Sequence, residues 1–435
     1  MSVVLSSESR ITRWLKQTNG FWFALYATVM AFCLYTCVYA FRKTFAVATF
    51  EGLSYGGISF KVWLVTFQVV GYAFSKFIGI KIISELKAAL RFIGILLMIG
   101  MAGISWFFFG LVPAPYNIVF LFTNGFPLGL VWGMIFGYLE GRRNTEVLGA
   151  GLSVSFIFSA GFAKSVGGFI MRDWGVSEMW MPFVTCCVFL APLLLFLWLL
   201  DKLPPPSELD EELRTRRLPM DKDSRKKFVH SFWPGIVLFT LTYMLLTTFR
   251  EFRDNFSADV WKSLGFGNSP EIFTTTEIPI SMAILVVMGS LMAIKNNQLA
   301  LMISHLIIFI GMVMIGLSTF LYQRELISPL WWMILIGMGL YLGYIPFNSV
   351  FFERLLAAFK FVGTVGFLIY IADAFGYLGS IGVLFFKEFG YASLSWRNFF
   401  ISAGYVVSVS GGILIAGSML YFHWKHRTIS MNNEQ

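Results

Sequence analysis

Of the 435 residues, 57% are hydrophobic and only 13% charged, about half the charge share of an average soluble domain. With 48 Phe, 20 Met and 40 Gly and a mean hydropathy of +0.72, polar side chains are too few to coat a water-soluble core, which excludes an ordinary soluble globular fold. A net charge of +9 would suggest nucleic acid in a soluble protein. Here it reads as cytoplasmic loops facing anionic lipid together with polar sites inside a helix bundle, and no nucleic-acid partner is expected.

The first 19 residues, ending in Trp14-Leu15-Lys16-Gln17-Thr18-Asn19, are polar and mildly basic. The apolar stretch after them is too long for a signal-peptide core and lacks a small-residue cleavage pattern, so it is expected to remain as a first membrane span. A spanning helix needs about 20 mostly apolar residues. Such stretches fall at 20–42, 61–83, 89–110, 115–139, 149–170 and 180–200, then at 232–253, 273–294, 298–320, 328–350, 358–384 and 397–422. Residues 201–230 divide the two sets. They open with Asp201-Lys202-Leu203-Pro204-Pro205-Pro206, continue through Glu211-Glu212-Leu213-Arg214-Thr215-Arg216-Arg217, and end near Arg225-Lys226-Lys227. Prolines stop the sixth span and the charges keep the rest out of lipid, so this segment predicts a cytoplasmic linker between two halves, 1–200 and 231–435.

Orientation follows from the basic residues of short loops. Arg10, Arg13, Lys16, Lys81, Lys87, Arg91, Arg142, Arg143, Lys295, Arg354, Lys360, Lys425 and Arg427 share the side of the linker, which predicts both termini in the cytoplasm of a bacterial inner-membrane protein. The fourth span carries Gly129-Leu130-Val131-Trp132-Gly133 before Leu139-Glu140-Gly141-Arg142, and the tenth carries Gly339-Leu340-Tyr341-Leu342-Gly343 before Phe352-Glu353-Arg354. Glycines four apart allow close helix packing, and their recurrence points to related halves. Cys33, Cys37, Cys186 and Cys187 lie in apolar segments without zinc-site spacing, so no disulfide framework is expected.

Ionisable residues inside spans are costly and usually face the bundle interior. Arg42 follows Tyr39-Ala40-Phe41 without a turn residue, and reads as a binding residue or one snorkelling to the outer headgroups; Lys43 reads as the snorkeller of the two. Lys76 and Lys164 lie well inside their spans, Lys164 either touching substrate or paired to a distant carboxylate. Arg250 and Arg253, three apart, share a helix face, with Glu251 and Asp254 as local partners for one of them. Asp373 reads as a proton-coupling group, a charge partner or a helix-end group; Glu277 is expected near the outer surface or in a local salt bridge, and His305 as a packed polar residue. Among the aromatic residues of these segments, Tyr39, Tyr72 and Tyr243 are the candidates for the binding cavity. A guanidinium from each half holds anionic oxygens bidentately without losing its charge, which favours an anionic cargo between the halves.

Two six-span halves around a central linker resemble the major facilitator superfamily. Tyr39-Ala40-Phe41-Arg42-Lys43-Thr44-Phe45-Ala46 and Gly71-Tyr72-Ala73-Phe74-Ser75-Lys76-Phe77 are similar to motifs of its organophosphate:phosphate antiporter family. The resemblance implies that Arg42 is a phosphate-binding arginine of the first half, Lys76 a cavity lysine, and Arg250 or Arg253 the arginine of the seventh span. The histidine that family carries in its fifth span has no counterpart here, Lys164 being the nearest basic residue. The superfamily's Gly-x-x-x-Asp-Arg loop signature is degraded to Gly79-Ile80-Lys81-Ile82-Ile83-Ser84-Glu85-Leu86-Lys87.

The expectation is therefore an all-α polytopic membrane protein of major-facilitator-like fold, with 12 transmembrane helices in two six-helix bundles. Its expected function is secondary active transport of a small phosphorylated or carboxylated metabolite by alternating access, as a monomer among membrane lipids, with phosphate or protons as co- or counter-substrate. The main alternative is a proton-coupled symporter of a neutral or weakly acidic solute such as a sugar, using Asp373; lipid handling and sensing rank below it. No cofactor or metal is expected, and no His-Glu-x-x-His or nucleophile–base pattern suggests an enzyme.

Overall fold

The computed structural model describes residues 9–86, 88–140, 142, 145–206, 222–359, 365–390 and 394–433. Lys87, Gly141, Arg143, Lys360 and the linker run Glu211–Arg217 lie outside the described residues, as do the side chains of Lys81 and Glu85. A short basic helix, α1 (Arg10–Gln17), is capped by the Ser9 side chain and tied by the Thr12 hydroxyl to the carbonyl of Lys202. The long helices follow: α2 (Gly20–Lys43), α3 (Phe60–Glu85), α4 (Arg91–Leu111), α5 (Val119–Leu139), α6 (Thr145–Trp174) and α7 (Met181–Asp201). After the linker come α8 (Lys222–Ser263), α9 (Glu271–Met292), α10 (Asn297–Gln323) and α11 (Pro329–Pro346), which passes through a π-helical turn, Phe347–Phe351, into α12 (Phe352–Ala358). The chain ends with α13 (Val365–Gly390) and α14 (Trp396–Asn433). A two-stranded hairpin, β1 (Ser54–Tyr55) and β2 (Ile58–Ser59), joins α2 to α3.

Among the described residues, ten helical stretches are long and apolar enough to cross a membrane. The remaining two long helices, α3 and α13, are 26 residues each and overlap the second and eleventh expected spans. The lateral surface fits hydrocarbon. On α4, Ile93, Leu97, Met101, Ile104, Phe108 and Leu111 form an exposed stripe at helical spacing, while Ile95, Ile99, Ala102, Trp106 and Phe109 are buried behind it. Polar residues show the reverse distribution: Gln68, Asn124, Lys164 and His305 are buried. Apolar outside with charges inside is the arrangement of a multi-pass membrane protein.

One helix, α8, runs well past both of its expected limits. α8 starts at Lys222, inside the expected linker, and continues to Ser263, ten residues beyond the expected end at 253. Arg250 and Arg253 therefore lie within the helix rather than at its mouth. The local reason is polar: Asn255, Ser257 and Asp259 are held by buried partners and have no need of water.

Small residues set the helix crossings. Gly125 and Gly129 of α5 lie against the backbone of Gln68 and the Ser75 side chain of α3, and Gly311 of α10 and Gly339 of α11 face one another's carbonyls. α2 packs on α6 and α7, and α3 and α4 on α5; α8 packs on α13 and α14, and α10 on α11 and α14. The first and second sets meet along two seams. One is α6 on α9, where a Cβ at Gly161 would sit 2.5 Å from the Phe273 carbonyl. The other is α3 on α13, where Tyr72 meets Tyr377 edge-on at 5.6 Å.

Candidate functional site

Between the seams, the end of α2 faces the middle of α8. The last carbonyls of a helix lack intrahelical partners, and at the end of α2 side chains of three neighbouring helices collect them. Trp106 Nε1 (2.6 Å) and Asn124 Nδ2 (3.1 Å) donate to the Phe41 carbonyl, and Gln68 Nε2 (2.7 Å) donates to that of Arg42. The chain then tightens into a 3-10 turn, Thr44–Val47, whose Ala46 carbonyl accepts from Lys61 Nζ at 3.0 Å. This collar fixes where Arg42 and Lys43 leave the backbone.

Both side chains are buried in a network of charges. Glu251 is at its centre: Arg250 Nη2 lies 2.7 Å and Arg42 Nη2 3.9 Å from its Oε1, while Lys43 Nζ reaches Oε2 at 2.9 Å. Lys43 also donates to Asn255 Oδ1 at 3.0 Å and lies 3.6 Å from Asp254. Lys164 donates to Asp254 Oδ1 (3.0 Å), to the Asp254 carbonyl and to the Ser257 hydroxyl. On the far side of α8, Arg253 pairs with Glu277 at 2.7 Å, and nearer the hairpin Lys61 pairs with Asp259, also at 2.7 Å.

The arginines are also stacked. The Arg42 guanidinium lies 3.9 Å from the Tyr72 ring centre, with Tyr39 at 5.9 Å, and that of Arg250 lies 4.5 Å from Tyr344. Stacking on an electron-rich face lets a guanidinium keep its edge free for oxygens while part of its water is stripped away. The Nε atoms of both arginines are buried without a hydrogen-bond partner. Lys76 lies 5.2 Å from the Tyr72 ring and 5.7 Å from Trp132, on the same side of the first set of helices as Arg42.

About two turns earlier on α8, the Tyr243 hydroxyl donates to Asp373 Oδ1 at 2.6 Å and lies 3.4 Å from Asn348 Oδ1 and 3.3 Å from the Tyr344 hydroxyl. Among the described residues no base reaches salt-bridge distance of Asp373.

The structure thus brings Arg42, Tyr39, Tyr72 and Arg250 into one cluster, with Lys76 at its edge and Lys164 joined to it through Asp254 and Lys43. Tyr243 and Asp373 form a second, smaller polar pair that adjoins this cluster through Tyr344, whose hydroxyl lies 3.3 Å from that of Tyr243 and whose ring lies under Arg250. One expectation changes and two sets of alternatives narrow. Lys43 does not snorkel: its ammonium is enclosed by the acids of α8, which a single-span reading could not foresee. For Glu277 the salt-bridge alternative fits and the surface one does not: it is buried at the α6–α9 seam and paired with Arg253. Of the two arginines left open, Arg250 is the one that meets Arg42, while Arg253 is engaged by Glu277. His305 is a packed polar residue, between the Leu301 carbonyl and the Ser418 hydroxyl. The four cysteines are free.

Sequence reasoning missed Lys61, Asp259, Gln68 and Asn124. A lone lysine or amide amid apolar residues was the available signal; the partner, some 26 to 198 residues away, was not.

The chain matches the model of a family of unknown function (DUF5690) over residues 44–425. No curated protein sequence matches it. Among solved structures it is similar to the crystal structure of a D-xylose-proton symporter, with 17% identity, a TM-score of 0.59, and coverage of 92% of this chain and 97% of that one. At that identity the likeness is one of fold, and the fold is major-facilitator-like. By the family match, which spans most of its length, the chain belongs to the DUF5690 family.

Proposed function

We propose that this protein is a secondary active transporter of a small organic anion, phosphorylated or carboxylated, working by alternating access between two six-helix bundles, α2–α7 and α8–α14. In this reading α3 and α13 complete a set of twelve spans, and both termini are cytoplasmic. The observation that carries it is the pairing of Arg42 with Arg250, one from each bundle, across a single carboxylate. Among the described residues, six buried bases (Arg42, Lys43, Lys61, Lys164, Arg250, Arg253) face four acids (Glu251, Asp254, Asp259, Glu277) in the network. The excess of two positive charges is expensive away from water and is relieved by an anion. Lys76 and Asp373 add one charge of each sign and leave that excess unchanged.

An anion held by both guanidiniums bridges the bundles, and its binding free energy favours the closed arrangement over either open one. The resemblance of the Arg42 and Lys76 segments to organophosphate:phosphate antiporters makes phosphate esters the first cargo to examine. The test is a thermal-shift screen of the purified protein against phosphate esters, carboxylates, sulfated compounds and neutral sugars, followed by flux in proteoliposomes. Anions that stabilise the wild type are expected to lose at least about tenfold in affinity in Arg42→Gln. Unchanged anion affinity in that variant would sink the assignment.

A second reading is favoured by the Tyr243–Asp373 pair and by the fold shared with a D-xylose-proton symporter. In it the cargo is neutral, Asp373 carries the coupling proton, and the basic network is structural. Uptake of a sugar driven by a proton gradient and abolished in Asp373→Asn supports this reading over the first.

A further inference from the structure

The anion reading says nothing of what becomes of the carboxylate between the two arginines when cargo binds. Glu251 is almost fully buried, and it is adjacent in sequence to one of the two arginines proposed to hold the cargo. Its two oxygens face different groups. Oε1 lies 2.7 Å from Arg250 and 3.9 Å from Arg42, whereas Oε2 accepts from Lys43 at 2.9 Å and from Asn255 Nδ2 at 3.2 Å. An oxyanion that engaged both guanidiniums would place its own oxygen where Oε1 now is. At 2.7 Å Oε1 already occupies the donor edge of Arg250, and a second anion beside it would add like-charge repulsion in a cluster where Glu251 and Asp254 both lie within 4 Å of Lys43.

We propose that Glu251 is a built-in counter-anion: its carboxylate occupies the oxyanion position between Arg42 and Arg250 when the carrier is empty, and the cargo must displace it. The inference rests on the anion reading and deepens it. It has two consequences. The first is selectivity by charge, since a neutral solute cannot displace a carboxylate from two guanidiniums, while an oxyanion with two or more acceptor oxygens can. The second concerns the empty carrier. With the repulsion between Arg42 and Arg250 partly offset by Glu251, the bundles can approach without cargo, which permits net transport as well as exchange. Arg253 has no part in the displacement, being held by Glu277.

The test measures inorganic phosphate binding by full-length wild type, Glu251→Gln, Glu251→Asp and the double variant Arg42→Gln/Glu251→Gln, by titration and by the rise in unfolding temperature. Glu251→Gln removes the competitor and keeps the side chain's size. It is expected to be less stable than wild type without phosphate, to bind phosphate at least about tenfold more tightly, and to be stabilised more by it. Glu251→Asp retains the charge but withdraws it from Arg250, and is expected to fall between the two; it also serves if the glutamine variant does not fold. The gain is expected to vanish in the double variant. Phosphate binding that is equal or weaker in both single variants overturns the inference while leaving the anion site standing. Absence of phosphate binding in every protein also overturns it, and the wider ligand screen then shows whether the anion site falls with it.

Discussion

Arg253 and Glu277 offer a way to separate structural from functional charge in the network. Their contact at 2.7 Å joins α8 to α9, with both groups almost fully removed from the surface. At an effective dielectric of about 20 such a pair attracts by roughly 6 kcal/mol, and desolvation offsets a large part of this. Removing one member leaves a buried charge uncompensated, so Arg253→Gln should destabilise by about 3–5 kcal/mol. The double variant Arg253→Gln/Glu277→Gln leaves two neutral amides able to bond each other and should recover most of that loss. The assay is a double-mutant cycle by thermal unfolding in detergent, with anion affinity measured on the same four proteins. Stability should fall in the single variants and return in the double one, while anion affinity in the double variant stays near that of wild type. Loss of anion binding with little loss of stability in Arg253→Gln would refute the reasoning and make Arg253, not Arg250, the binding arginine.

Three further outcomes follow from the packing. Gly161→Val puts branched carbon against the Phe273 carbonyl and Glu277 Cγ, so it should cost at least about 1–3 kcal/mol by overpacking; an unchanged unfolding temperature would show that the α6–α9 seam is looser than described. Asp259→Asn leaves the Lys61 ammonium buried beside a neutral amide and should be strongly destabilising, whereas Lys61→Met/Asp259→Leu should be close to neutral; equal losses in both would mean that the ion pair is not what matters there. Trp106→Phe removes one donor from the Phe41 carbonyl while Asn124 remains on it, so a modest loss of about 1 kcal/mol is expected, with weaker anion binding as Arg42 loses its fixed origin.

Much of the architecture was legible because membrane spans announce themselves by length and hydropathy. The expected starts of α2, α4, α9, α10 and α14 lie within about two residues of the observed ones. Where α8 ends was not legible, since Asn255, Ser257 and Asp259 look like a loop until their buried partners are known. The same cause explains the site. Arg42 and Arg250 stand out as charges in apolar runs, but nothing in the segment around Lys43 shows that it turns inward. Its partners lie more than 200 positions away on α8. Burial price can be read from one segment, whereas partnership depends on which helices meet.

The π-helical turn at Phe347–Phe351 follows Pro346, whose missing N–H already interrupts the ladder, and it contains Asn348, which faces the Tyr243 hydroxyl of the second polar pair. Asn348 Nδ2 and Ser349 Oγ donate to the carbonyls of Tyr344 and Ile345, four residues back. Such a turn amounts to one residue inserted into an α-helix, which shifts the phase of everything beyond it by about 100°. α12, with Glu353 and Arg354, is therefore presented on a bearing that an uninterrupted helix would not give. A relative lacking a single residue here would keep the same membrane spans and nearly the same composition. It would nonetheless present a different side of its tenth span to the rest of the bundle, so chain length across 346–352 decides which residues of that span face inward.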